Sequence, residues 1–371
     1  MIRPENSEAL TIAIREHVEA RRTIAVRGGG STGWRGDADV HADLSAHRGV
    51  LDYDPEELVL TVRAGTPLSE VEALLAERRQ MLAFDPVDAG LVRDGRAAGA
   101  TVGGVVATGN AGPRRVTAGA TRDHLLGFTA VSGRGEAFKA GGRVVKNVTG
   151  FDLPKLFTGS RGTLGVFDTL TLRVLPAPRF EASMVVKASC MEAEPVMHRA
   201  MRHPAGISCA AWQAGRLLLR LEGFRPSVDA RFDAVATMIG ADRVERIEAE
   251  ESAGLWRGVA QVALLRKTPT LWRTSLPATA GVAFAARMMA EGFAALIDWG
   301  GARVWLGGEH AAATMVYRLA AEMGGHARLV RGVSDTPAPL PDTVTRTTSE
   351  RIRDAFDPHR LLNPGLDPWN H

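Results

Sequence analysis

Leu10, Ile14 and Val18 recur on one face of residues 6–21, with Asn6 or Ser7 ahead of them. That spacing predicts a capped amphipathic helix, and the run Ile24–Arg27 directly after it reads as a strand. His17 lies near the apolar stripe and reads as packed or surface-exposed. Residues Val40–Leu44, Val50–Tyr53 and Leu58–Arg63 have strand patterning. Pro67 then opens an amphipathic helix through Arg78. From Thr101 to Gly119 the chain is rich in Gly and small residues without helical periodicity, so irregular backbone is expected there. Leu126–Ser132 and Val166–Val174 read as strands around a second Gly-rich run, Asn147–Gly165. Pro176-Ala177-Pro178 breaks the pattern and places a boundary near Pro178.

Beyond that boundary, strand-like runs (Met184–Ala188, Leu217–Glu222, Leu296–Trp299, Arg303–Leu306, Ala327–Arg331) alternate with helical patterns near 191–202, 227–239, 279–291 and 311–323. The expected class is α+β: residues 1–178 form one domain, 179–335 an α+β cap, and 336–371 a Pro-rich linker (Thr336–Pro341) followed by a returning helix, Ser349–Gly365, that ends in Asn363-Pro364-Gly365. A chain of 371 residues exceeds what one core usually serves.

Charge adds little to this picture. The 45 basic and 42 acidic residues are spread along the chain without a basic block, which gives no support for nucleic-acid binding. Only five basic residues are Lys, a bias that reads as compositional. Cys190 and Cys209 stand alone, arguing against a disulfide scaffold, a zinc site or an iron–sulfur cluster. The N-terminus lacks a signal pattern and no run of about 18 apolar residues occurs, so a soluble cytoplasmic chain is expected.

The chemistry is carried by glycine loops. Gly28-Gly29-Gly30-Ser31-Thr32-Gly33 matches GxGxxG after a strand, but Trp34-Arg35-Gly36-Asp37-Ala38-Asp39 has turn composition where a dinucleotide-binding fold needs a helix. A Gly-rich loop binds phosphate without a helix when successive N–H groups form an anion nest, to which Ser31 and Thr32 add hydroxyls. Phosphate binding is the reading adopted for this loop; the alternative is a tight turn.

Several segments in order resemble PCMH-type FAD-binding proteins of the vanillyl-alcohol-oxidase class. Arg27-Gly28-Gly29-Gly30-Ser31 resembles their pyrophosphate loop, and Val62–Leu68, reading VRAGTPL, is similar to their V-x-A-G-x-x-L strand end. Thr101-Val102-Gly103-Gly104 with Ala107 is similar to the segment lining the flavin. Gly162-Thr163-Leu164-Gly165-Val166 is similar to a run that closes on the cofactor, and Asp357-Pro358 to Asn363-Pro364-Gly365 to the C-terminal signature. Gly112-Pro113-Arg114-Arg115, Arg122-Asp123, residues 146–156 (KNVTGFDLPKL), Leu271-Trp272-Arg273 and Gly324-Gly325-His326-Ala327 resemble one branch, the glycolate oxidase FAD-binding subunits E.

The resemblance implies a PCMH-type two-part FAD-binding domain under the cap. It implies FAD held by Arg27, Gly28, Gly29, Gly30, Ser31, Thr32, Thr101, Gly103, Gly104, Ala107, Gly162, Val166 and Asn363. Many members tether the flavin through a His after the loop glycines; Ser31 stands there, so noncovalent FAD is expected. Leu366 replaces the basic residue that often follows NPG. The implied reaction is oxidation of glycolate or a similar small 2-hydroxy acid, for which a cation must hold the carboxylate and a base must take the hydroxyl proton. Arg273 is the candidate clamp, with a structural salt bridge as its alternative, and His326 the candidate base. Related dehydrogenases pair histidines on a metal; His310 and His326 are isolated here, so no metal is expected. The implied partners are a larger flavin subunit and an iron–sulfur subunit, with peripheral inner-membrane association through the complex. A stand-alone hydroxy acid dehydrogenase and a non-catalytic flavin-fold scaffold are the alternatives.

Overall fold

The computed structural model describes residues 1–143 and 150–366. The first helix, Ser7–Glu19, starts where Asn6 Oδ1 accepts the Ala9 N–H at 2.9 Å, and it buries the Leu10, Ile14 and Val18 stripe. Strands β1 (Ile24–Arg27) and β2 (Val40–Asp43) pair in parallel. No helix follows the glycine loop between them; residues 34–39 are loop, as their composition predicts. The C-terminal tail runs along the free side of β1: Ile24 donates to the Leu361 carbonyl and Asn363 to the Ile24 carbonyl, both at 2.8 Å.

A five-stranded antiparallel sheet comes next. Its strands are β3 (Val50–Asp54), β4 (Val59–Arg63), β6 (Leu125–Val131), β7 (Ala137–Gly141) and β8 (Val166–Arg173), in spatial order β3-β4-β8-β6-β7. A short pair, β5 (Gln80–Met81) with β9 (Leu175–Pro176), lies apart from it. Leu60, Val62, Leu170 and Leu172 join Val71 and Leu75 of the helix Leu68–Glu77 in one core. Phe128, Phe157 and Phe167 pack with them, and Phe356 of the C-terminal helix Thr343–Phe356 closes edge-on against Phe157 at 5.0 Å.

The remaining strands build an eight-stranded antiparallel sheet. They are β10 (Phe180–Lys187), β11 (Cys209–Gln213), β12 (Arg216–Gly223), β13 (Val244–Glu248), β14 (Thr270–Ser275), β15 (Ala294–Asp298), β16 (Arg303–Gly308) and β17 (His326–Arg331). Their order is β13-β10-β12-β11-β15-β16-β14-β17. Side chains alternate between faces along each strand. One face, with Trp272, Leu217, Leu219, Ile297, Val304 and Leu306, is buried under the helices 190–202, 225–239, 281–290 and 313–322. The opposite face carries Arg273, Ser275, Arg303 and Trp305 and turns toward the five-stranded lobe.

Two expectations change. The stretch Thr101–Gly119 is not irregular throughout: Val102–Thr108 is a helix and Arg115–Ala118 a single turn. The first is set by its ends, because Thr101 Oγ1 accepts the Gly104 N–H at 3.2 Å and Gly109 closes it in the left-handed region at φ 61°. Its glycines admit the backbone of the preceding strand end, where a Cβ on Gly103 would stand 2.6 Å from the Ala64 carbonyl oxygen. Close packing thus outweighs the weak helix propensity of Gly. The returning helix also lies earlier than Ser349–Gly365: it covers Thr343–Phe356, and Asp357 stops it by accepting the Leu361 and Leu362 N–H groups, both at 2.9 Å.

Candidate active site

The loop after β1 is shaped by its glycines in two ways. A Cβ on Gly28 would lie 2.2 Å from Thr101 Oγ1 and one on Gly29 only 1.5 Å from the Gly99 carbonyl oxygen, so the backbones touch. Gly30 and Gly33 instead have φ of 76° and 73°, in the left-handed region, and Gly33 donates to the Gly30 carbonyl at 3.0 Å. The N–H groups of Gly29, Gly30, Ser31 and Thr32 donate to no acceptor among the described residues. By contrast, the first N–H groups of the helix Val102–Thr108 are used internally, on Thr66 O, Ala64 O and Thr101 Oγ1. The free donors therefore belong to the glycine loop, which has the chemistry of a pyrophosphate cradle.

Beside the loop runs a slot lined by Val26, Gly28, Thr101, Gly103, Gly104, Ala107, Gly162, Val166 and Asn363, with Arg161 at its edge. Eight of the thirteen cofactor residues expected from sequence meet in this slot. Gly29, Gly30, Ser31 and Thr32 border it through the loop. Arg27 does not face it: its guanidinium pairs with Asp43 at 3.1 Å. Asn363 acts as a tie, since Oδ1 accepts the Val26 N–H and Nδ2 donates to the Arg161 carbonyl, both at 2.7 Å. Part of the segment 146–156, its residues 146–149, lies outside the described residues.

The slot meets a larger cavity, about 490 Å³, where Ala107 gives way to Thr108 and Gly162 to Thr163. Its floor is Thr108, Gly109, Ser160 and Thr163; its roof is the sheet face bearing Arg273, Ser275, Arg303 and His326. The structure brings Arg273 and His326 together. Ser275 lies opposite His326 on one side and opposite Arg303 on the other, so all three share the face with Arg273 two residues away.

Sequence reasoning missed Arg303, Arg115 and Trp299. The guanidinium of Arg303 lies over the Trp299 ring, 3.6 Å from its centroid, and that of Arg115 lies 4.1 Å from the same centroid. Trp299 is itself fixed by its Nε1–H, which donates to the Gly112 carbonyl at 2.9 Å. Arg303 is 8% exposed and its Nε has no partner. Among the described residues no Asp or Glu lines the cavity.

These cations crowd one another. Loss of water pulls Arg273 down to about 10, with the Arg328 and Arg115 charges adding to the effect. Arg303 is lowered further, again by burial first and by Arg273 second, against an opposing pull from Asp298. All stay protonated at neutral pH, so the cavity carries an excess of positive charge, only partly offset by Asp298 beside Arg303 and Asp123 near Arg115. His326, exposed at the rim, is lowered by partial desolvation and then by Arg273 and Arg303, which favours the neutral imidazole. Ser160 Oγ, buried in the floor, also lacks a partner.

Four contacts fix the roof on the floor. Arg114 pairs with both Asp85 and Glu222, Arg331 donates to the Arg93 carbonyl at 2.7 Å, Thr117 donates to the Ser208 carbonyl at 2.8 Å, and Trp299 reaches Gly112 as above.

Comparison with known proteins agrees with this anatomy. The FAD binding domain family matches residues 1–141. The glycolate oxidase subunit GlcE of Escherichia coli K12 is 35% identical over 364 residues, 97% of this chain and 96% of that protein. This chain belongs to the GlcE family. It is an FAD-binding oxidoreductase by that membership, with FAD as its cofactor. The D-lactate dehydrogenase of Anaerostipes hadrus is 37% identical over 153 residues, 41% of this chain and 30% of that one. The D-2-hydroxyglutarate dehydrogenase of Xanthomonas citri pv. viticola is 33% identical over 171 residues, 45% and 34% of the two chains. A solved alkyldihydroxyacetonephosphate synthase superposes with a TM-score of 0.71 over 98% of this chain and 75% of its own, at 14% identity, a likeness of fold. Among the described residues no helix is long and apolar enough to cross a membrane.

Proposed function

We propose that this chain is the FAD-binding subunit of a glycolate oxidase complex, oxidising glycolate or a similar small 2-hydroxy acid to the 2-oxo acid and passing electrons to an iron–sulfur partner. Residues 1–178 hold the cofactor in this reading, 179–335 cover it and 336–371 return to close the slot. The observation that carries it is the cation-lined, carboxylate-free cavity opening onto the glycine slot. The near full-length likeness to a protein named as a glycolate oxidase subunit supports the assembly.

Bound FAD supplies the acceptor for the hydride leaving the substrate α-carbon. The remaining work falls to the chain. Arg273 forks onto the substrate carboxylate with two charge-assisted hydrogen bonds. His326, kept neutral by partial burial and then by its cationic neighbours, accepts the hydroxyl proton. The loop from Gly28 to Thr32 anchors the pyrophosphate through N–H groups, and Ser31 leaves the flavin untethered. Anaerobic addition of glycolate to the flavin-loaded chain tests the reading: loss of the flavin absorbance is expected. A spectrum unchanged by glycolate, both in the isolated chain and in the complex purified from its host, would overturn it.

A further inference from the structure

We infer that the cavity is built for a small dianion, an acid with a second anionic group at the far end from the carboxylate held by Arg273. The inference rests on the proposed hydroxy acid chemistry and narrows its substrate class. Its ground is charge. One carboxylate is satisfied by one forked guanidinium, whereas this cavity is lined by the exposed Arg122 at its rim and by Arg115, Arg273 and Arg303 inside, with no Asp or Glu on its walls among the described residues. None of the three has an ion-pair partner among the described residues.

The three charges form two poles. Arg273 stands on β14 beside Arg328, its cross-strand neighbour on β17. Arg303 and Arg115 come from opposite walls and converge on the Trp299 ring, at 3.6 and 4.1 Å from its centroid. The sheet register places Arg303 diagonal to Arg273, because Arg303 faces Ser275. Diagonal neighbours have Cβ atoms up to roughly 7–8 Å apart, which lets the two long guanidinium side chains converge on the two ends of one short dicarboxylate.

Arg303 supplies the independent mark of a ligand site. It is 8% exposed, lines the cavity, and leaves Nε unpaired. A buried donor without an acceptor is costly, and crowding three guanidinium groups adds to that cost. A two-carbon monoacid at Arg273 would relieve neither at Arg303. A second carboxylate, or a phosphoryl group, relieves both. The shared chemistry is a second anionic terminus within a few bonds of the first.

The test uses the flavin-loaded full-length chain, so that any cation engaged by the cofactor is already occupied. Calorimetric titration compares acetate, malonate and phosphonoacetate, none of which can be oxidised at a hydroxyl. Malonate is expected to bind at least tenfold tighter than acetate. Phosphonoacetate tighter still would assign a phosphorylated acid, and malonate tightest a 2-hydroxy dicarboxylate. Arg303→Gln and, as a second variant on the other wall, Arg115→Gln should each bring the malonate-to-acetate ratio near one while acetate still binds. Equal affinity of acetate and malonate in the unmodified chain, or a ratio untouched in a folded Arg115→Gln protein, would overturn the inference. The parent reading is judged separately by anaerobic flavin reduction with glycolate and with tartronate, its dicarboxylate counterpart. Reduction by glycolate with no dianion preference leaves the reaction standing and removes the second pole. Preference for dianions without reduction by either acid leaves the second pole and removes the reaction.

Discussion

Asn363 accepts the Val26 N–H at 2.7 Å across 337 positions of sequence. The same side chain donates to the Arg161 carbonyl, so one amide joins the tail, β1 and the turn that edges the cofactor slot. Asn363→Ala removes both bonds, and losing a buried hydrogen bond costs about 1–3 kcal/mol where water cannot replace it. A lower Tm and a fall in bound FAD are expected together. Asn363→Asp keeps the acceptor for Val26 but sets a carboxylate oxygen against the Arg161 carbonyl in a buried site, and should not rescue the loss. Thermal unfolding with and without added FAD checks this, and an Ala variant matching the parent in both would remove Asn363 as a tie.

The glycine loop separates steric from conformational need. Gly29→Ala places a methyl group against the Gly99 carbonyl and must displace the loop, so flavin content after gel filtration should collapse while far-ultraviolet circular dichroism stays folded. Gly30→Ala meets nothing within 4 Å but has φ 76°, costing about 1–2 kcal/mol of backbone strain. It should keep most of its flavin. Full flavin in Gly29→Ala would place the pyrophosphate elsewhere.

Acid precipitation should leave the flavin in the supernatant, because Ser31 cannot form the tether a histidine provides. Yellow colour retained on the denatured chain would contradict this.

Removing the forked guanidinium at Arg273 should lower kcat/KM by roughly ten- to two-hundred-fold, the equivalent of a charge-assisted hydrogen bond worth about 1.5–3 kcal/mol. Arg273→Lys keeps the charge without the fork and should lose less. FAD content should hold in both. Normal turnover by a flavin-replete Ala variant in the assembled complex would place substrate binding in a partner subunit.

His326 predicts the shape of the acid limb. Its lowered value in the folded chain means the base-competent imidazole persists below the ordinary histidine range. The kcat/KM profile should therefore fall only at a pH under about 6.5 and be flat above it. His326→Gln should lower the plateau and abolish that limb. An unchanged limb in the variant assigns it to another group.

Much of the cofactor lobe was legible because its signals are local. The Leu10, Ile14, Val18 stripe needs only helical spacing, and turn composition after Gly33 was enough to exclude a dinucleotide-binding helix. The helix Val102–Thr108 was not legible, since its periodicity is replaced by glycines whose value is the approach of Ala64. Arg273 and His326 stand in short motifs, and the structure brings both to one cavity. Arg303 was not legible, because a single charge at the head of the apolar run Arg303–Leu306 gains meaning only from register, where it faces Ser275. Arg115 and Trp299 depend on a contact between segments 184 residues apart in the chain. No local pattern encodes such a contact.

The slot draws its walls from residues 28, 101, 162 and 363. During synthesis, at about 5–20 residues per second, the early glycine loop waits tens of seconds for the tail that closes beside it. A nascent chain that has reached the cap but not Asn363 presents the N–H nest without its far wall. The slot is therefore complete only once Asn363 has been synthesised and has docked against β1 and the Arg161 turn, and retention of the cofactor is expected to report that docking.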